Sequence, residues 1–153
     1  MDPHEALGGP DPDPRDAEAA LADTDPRARG GAFAALVANP GDISRSLEGC
    51  LRSGIPSARA CAIMVAANRG DAALLPVIGG LAGDPDDWVR ESVAAAAGRL
   101  GGPSVVAGLL RDKSPRVRKA AARAALELGM GAGAGRIEGH DEELDGLLRE
   151  LGR

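Results

Sequence analysis

The side chains best suited to chemistry are few in this sequence and stand far apart. His4 and His140 are its only histidines. A metal site needs several ligands converging on one point, and one His-Glu pair, His4 with Glu5, in a Pro-rich N-terminal stretch does not supply them. Cys50 and Cys61 are the only cysteines. They fall on the two sides of a turn near residues 53 to 57, close enough in sequence to approach each other. No His lies near enough in sequence to activate either thiol, so both read as small buried hydrophobes. The Gly alternation "GMGAGAG" at 129 to 135 follows a helical pattern rather than a strand, which argues against a phosphate-cradling loop. It reads as a flexible link. Trp88, the single tryptophan, stands beside Asp86 and Asp87 with Arg90 behind it. A pocket that grips an extruded base needs a strongly basic groove and more than one aromatic. The densest charge is Arg111, Lys113, Arg116, Arg118, Lys119 and Arg123, opposed within that span only by Asp112. Such a run reads first as a solvated helix face.

The elements that hold these side chains follow from composition. Hydrophobic residues make up 44% of the 153, yet Phe33 and Trp88 are the only aromatics. A core filled by Ala, Leu, Val and Ile suits closely packed helices, whereas sheets favour aromatic and β-branched residues. The expected class is all-α. No apolar run approaches the roughly 18 residues of a membrane span, and the acidic, Pro-rich start lacks the basic and apolar regions of a signal peptide. A cytoplasmic protein without membrane contact is expected. Charge is uneven: the net of −5 divides into −5 for residues 1 to 30, +3 for 31 to 135 and −3 for 136 to 153.

The chain also repeats itself. With one Arg of each copy in register, four segments align: "DTDPRARGGAFAALVANPG" on Arg29, "SGIPSARACAIMVAANRG" on Arg59, "DPDDWVRESVAAAAGRLGG" on Arg90 and "DKSPRVRKAAARAALELG" on Arg118, at spacings of 30, 31 and 28 residues. Six positions before the Arg stand Asp23, Ser53, Asp84 and Asp112; three before it, Pro26, Pro56, Asp87 and Pro115; eleven after it, Pro40, Gly70, Gly101 and Gly129. Pro or Asp pre-sets a helix start, and Gly takes the left-handed conformation that closes one. Apolar or small residues recur three, four, seven and eight places after the Arg, as in Ala121, Ala122, Ala125 and Leu126, which is one face of a helix. A further helix is expected before each turn, in 43 to 53, 72 to 83 and 103 to 112.

This pattern of helix, Asp-x-x-Pro-x-Val-Arg turn, Ala-rich helix and Gly resembles the HEAT-like repeats, particularly the short bacterial type named after phycobilisome lyases. The resemblance covers residues 16 to 129, and weakly the final helix. Copy one departs from it with Gly30 and Gly31 inside its second helix, and copy two lacks the Asp. It implies an α-solenoid of about four helical hairpins with second helices lining a concave side. It also implies a structural ladder of Asp and Arg between adjacent turns: Asp23, Arg29, Arg59, Asp84, Arg90, Asp112 and Arg118, with Ser53 breaking one rung. "HDEELDGLLREL" (140 to 151) reads as a capping helix, with Leu144, Leu147, Leu148 and Leu151 on one stripe.

Two enzyme-like groups are built on such repeats, bilin lyases and some DNA glycosylases. A single Trp and net acidity argue against the second, and repeat similarity cannot transfer the function of the first. The expected function is therefore a non-catalytic protein-binding scaffold or adaptor, with no cofactor and no metal. An accessory subunit or small lyase or isomerase, and nucleic-acid binding through the fourth repeat, remain as alternatives. Positions one, five and nine after the Arg should line the groove: Gly30, Ala34, Ala38; Ala60, Met64, Asn68; Glu91, Ala95, Arg99; Lys119, Arg123, Glu127. The expected partner-binding residues are Met64, Trp88, Glu91, Arg99, Arg116, Lys119 and Arg123, facing a protein or peptide with an acidic segment. A monomer is expected, with residues 1 to 15 a disordered acidic tail and 16 to 153 the repeat domain.

Overall fold

The Pro, Asp and Gly signals become helix ends in the computed structural model, which describes residues 3–130. Among those residues there are nine α-helices and no strand: α1 (Pro3–Gly8), α2 (Pro14–Leu21), α3 (Pro26–Ala38), α4 (Ser44–Leu51), α5 (Pro56–Arg69), α6 (Leu75–Gly79), α7 (Asp87–Leu100), α8 (Pro103–Leu109) and α9 (Pro115–Glu127). The carboxylates of Asp13, Asp25 and Asp86 accept the backbone N–H two residues on and so start α2, α3 and α7. α5, whose copy lacks the acid, begins behind Ile55 with no side-chain cap. Gly70 (φ 72°) and Gly101 (φ 86°) end α5 and α7 in the left-handed conformation that residues with a Cβ resist.

Four hairpins result, α2–α3, α4–α5, α6–α7 and α8–α9, stacked as an all-α solenoid. Second helices pack on second helices, and the contacts of α5 with α7 and of α7 with α9 are the broadest. Their facing residues are small: Ala62, Ala66, Val93, Ala94, Ala97, Ala121 and Ala125 are all buried. Small side chains let the backbones approach closely. A Cβ on Gly98 would fall 2.7 Å from the Cβ and 2.9 Å from the Cα of Ala124.

Two expectations need correction. Residues 1 to 15 were expected to be disordered, yet Pro3–Gly8 is helical, Leu7 is 1% exposed, and α2 already begins at Pro14. The buried Asn39 amide donates to Leu7 O (2.7 Å) and Gly9 O (2.9 Å), and the Ser46 hydroxyl donates to Pro12 O. Long-range partners, invisible in the local composition, offset the ordering entropy of this stretch. Residues 72 to 83 were expected to form one helix. They form a 3-10 turn (Ala72–Leu74), the short α6 and a second 3-10 turn (Gly80–Gly83). Pro76, Gly79, Gly80 and Gly83 deny this stretch a continuous ladder. The expected capping helix at 140 to 151 lies outside the described residues.

Candidate partner-binding face

Each repeat turn is built around its Arg. Arg59 Nη1 donates to Ser53 O (2.9 Å) at the start of its own turn, while Nε and Nη2 reach both carboxylate oxygens of Asp84 in the next turn, each at 2.9 Å. Arg90 repeats this one step along. Its Nη1 donates to Asp84 O (2.7 Å), Nε to Asp112 Oδ2 (2.9 Å) and Nη2 to Asp112 Oδ1 (3.3 Å). Arg29 and Arg118 likewise donate to Asp23 O (3.0 Å) and Asp112 O (2.8 Å). The Asp carboxylates work twice, because Asp84 Oδ1 also accepts from Asp86 N and Asp112 Oδ1 from Ser114 N. One carboxylate thereby shapes its own turn and receives the preceding repeat. Asp23 differs, its Oδ1 taking only Asp25 N. In the turn after Arg29 the matching position is Ser53, where Arg59 and Arg90 meet Asp84 and Asp112.

Arg29 lies instead over Trp88, its guanidinium carbon 5.9 Å from the ring centroid. The two residues come from α3 and α7, with α5 between them, where the matching position is the small Ser57. Trp88 is half-buried and packs against the main core. The structure thus folds the ring onto neighbouring repeats, and the ring does not stand out as an isolated projection.

The remaining residues of the expected face divide into held and unheld groups. Ala34, Ala38, Asn68, Arg99, Lys119, Arg123 and Glu127 are exposed, and Met64, Glu91 and Ala95 are half-buried. Ala60, expected to line the groove, is 1% exposed and belongs to the core; its methyl group is small enough to be enclosed between helices. Glu91 accepts an ion pair from Arg116 at 2.9 Å, and Arg99 Nη1 donates to Asn68 Oδ1 at 3.0 Å. Among the described residues no hydrogen bond or ion pair holds Lys119 or Arg123. The layer therefore runs from small apolar side chains at α3 to unheld cations at α9.

Sequence reasoning missed two side chains that hold the first hairpin to its neighbours. Arg69 donates to the carbonyls of Leu36 (2.9 Å), Val37 (3.3 Å), Asn39 (2.6 Å) and Gly41 (2.6 Å) and pairs with Asp71. It satisfies the orphan carbonyls at the end of α3. Its position, ten after the repeat Arg, holds Asn39, Leu100 and Leu128 in the other copies; that break in the register was the available signal. Asn39 is the second.

The cysteines are both unpaired. Burial pushes the Cys50 thiol up to about 12, helped by the charges of Glu18 and Cys61, and burial also raises Cys61 against the lowering effect of Arg29. Neutral thiols are poor nucleophiles. Among the described residues no group of three or more His, Cys, Asp or Glu could hold a metal ion, and no helix is long and apolar enough to cross a membrane. A groove of about 430 Å³ opens between α8 and the Gly80–Gly83 turn, lined by Gly79, Gly83, Ser104 and Gly108 among others. Asp112, the carboxylate on its wall, is already engaged by Arg90.

Compared with known protein families, residues 43–127, more than half of the chain, match the family model described as HEAT repeats. No curated protein matches the chain.

Proposed function

Because the chain belongs to the HEAT-repeat family, we propose that it acts as a non-catalytic scaffold or adaptor, holding another protein on the face formed by α3, α5, α7 and α9. The observation that supports this reading is the graded layer itself, from exposed Ala34 and Ala38, through Met64, to Arg99, Lys119 and Arg123. A rigid row of stacked helices suits an extended or helical segment whose apolar part is followed by acidic residues. Met64 adapts to an irregular apolar surface, and Lys119 and Arg123, which no carboxylate among the described residues holds, keep their charge for a partner. Trp88, Glu91 and Arg116 border this face. The first two are half-buried, and the ion pair of Glu91 with Arg116 keeps both from acting as free charges.

The test is a titration of the full chain with two fluorescent probes at physiological ionic strength: a peptide with a Leu/Ala half and a Glu/Asp half, and a duplex DNA. The peptide should bind, and Lys119→Glu with Arg123→Glu should weaken it at least about tenfold, roughly 1.4 kcal/mol, without moving the melting temperature. Tighter DNA binding with a steep salt dependence would replace this reading with nucleic-acid recognition. A peptide affinity indifferent to the double charge reversal would remove the face from the protein's function.

A further inference from the structure

The ladder has one open rung. Arg59 and Arg90 each give Nη1 to a carbonyl of their own turn, and Nε with Nη2 to both carboxylate oxygens of the Asp in the next turn. Arg29 stands at the same register and makes the first of these contacts, with Asp23 O. For the second, the next turn offers Ser53, whose hydroxyl oxygen accepts from Ile55 N (3.0 Å) and carries no charge. Among the described residues no carboxylate pairs with Arg29, and its Nε and Nη2 find no hydrogen-bond acceptor. The Trp88 ring meets the cation at 5.9 Å, but an aromatic ring gives N–H donors no carboxylate lone pair. The charge of Arg29 also acts to lower the Cys61 thiol of α5, which puts the guanidinium at the junction of α3 with α5.

We propose that this open rung is a binding site for an external carboxylate, an Asp or Glu side chain of a partner protein that completes the pair at Arg29 as Asp84 and Asp112 do at Arg59 and Arg90. The neighbouring rungs show what a guanidinium at this register takes, a planar carboxylate held by two parallel hydrogen bonds. The surroundings are apolar. Ile55, two residues after Ser53, is the large hydrophobic residue left exposed (41%) among the described residues, and the matching positions of the other turns hold Asp25, Asp86 and Ser114. Copy two thus carries Ser and Ile where copies one and three carry two acids. With the half-buried Trp88 beside Arg29, the site fits an acidic residue that has aliphatic neighbours. Asp23, the acid of Arg29's own turn, is no obstacle, since Asp84 holds the same place beside Arg90, which still takes Asp112. The site uses neither Lys119 nor Arg123 and is independent of the face proposed above.

Three fluorescent peptides, with a central Glu, Gln or phosphoserine between Leu residues, test this on the full chain, and the melting temperature of every variant is measured alongside. The unaltered chain should bind the Glu peptide at least about tenfold more tightly than the Gln peptide. Ser53→Asp should close the rung from within, so that the preference for Glu disappears while the melting temperature rises. Arg29→Gln should cancel that rise, the mark of a shared contact, and should by itself also abolish the preference. Lys119→Glu with Arg123→Glu should leave the preference intact, which separates this site from the face of α9; its loss there would assign the binding to α9 and overturn the site. Equal affinity for the Glu and Gln peptides, or a preference that survives Ser53→Asp, would overturn it too. Binding of the phosphoserine peptide alone would replace the carboxylate with a phosphate.

Discussion

Arg90 divides its guanidinium among Asp84 O, Pro85 O and both oxygens of Asp112, with its side chain 5% and that of Asp112 9% exposed. Removing one partner of a buried pair leaves the other charge uncompensated, so Arg90→Ala should cost about 3–5 kcal/mol in a denaturant titration. Arg116 makes an ion pair of similar length, but its side chain is 59% exposed. Water screens that pair, and Arg116→Ala should cost less than about 1 kcal/mol. Equal losses would show that the two contacts are alike. Cys50 gives a pH prediction. Its ordinary value lies near 9.0 and its folded value near 12, so above about pH 9 the unfolded chain loses a proton that the folded chain keeps. Stability present below pH 9 should decline as pH rises towards 12, by up to about 1.4 kcal/mol per unit at 25 °C from this group. Cys50→Ala should flatten that decline; an unchanged alkaline slope would show the thiol to be ordinary. Trp88 and Arg29 couple α7 to α3, so Trp88→Ala should lower the melting temperature even with no partner present, and Arg29→Ala should cost about 0.5–1 kcal/mol through the lost cation–π contact.

At the scale of elements, α1 and α7 carry the clearest consequences. α1 is held by Leu7, which is fully buried, and by Asn39, which donates to Leu7 O and Gly9 O and accepts from Gly41 N. Asn39→Ala should therefore cost about 1–3 kcal/mol, the penalty of buried polar groups left without partners. Deleting residues 1–9 should lower the melting temperature by several degrees, and an unchanged value would mean that α1 contributes nothing to the stack. α7 and α9 approach so closely at Gly98 that a side chain there must displace Ala124 backbone. Gly98→Val should cost at least about 1–3 kcal/mol by overpacking, despite the better helix propensity of Val over Gly. Much of this level was legible beforehand. The starts of α3, α5 and α9 at Pro26, Pro56 and Pro115 and the stops at Gly70 and Gly101 follow from single-residue backbone preferences. α6 was not, because Pro76 and three glycines inside one apolar run weaken a helix without saying where it breaks.

Over the whole molecule, stability is a sum over neighbouring hairpins. Contacts are broad along α5, α7 and α9 and thinner between α3 and α5 and between α4 and α6. Amide hydrogen exchange should therefore be slowest in α5 and α7 and faster in α6 and the Gly80–Gly83 turn; uniform protection would mean that the stack opens only as one unit. The amino-acid sequence alone determined the repeat, the starts of α3, α5 and α9, the stops of α5 and α7, and the all-α class. Each of these depends on φ preferences, caps and a 3.6-residue period that act within about a dozen residues. Only the tertiary structure decided that Arg59 grasps Asp84 and Arg90 grasps Asp112, that Leu7 is buried beside Asn39, that Ala60 is core and not groove, and that Trp88 lies beneath Arg29. The partners in most of these contacts are between 22 and 59 residues apart in the chain. No local preference specifies such a meeting, because it depends on the rotation from one hairpin to the next, which is set by how closely the small side chains of α5, α7 and α9 let their backbones pack.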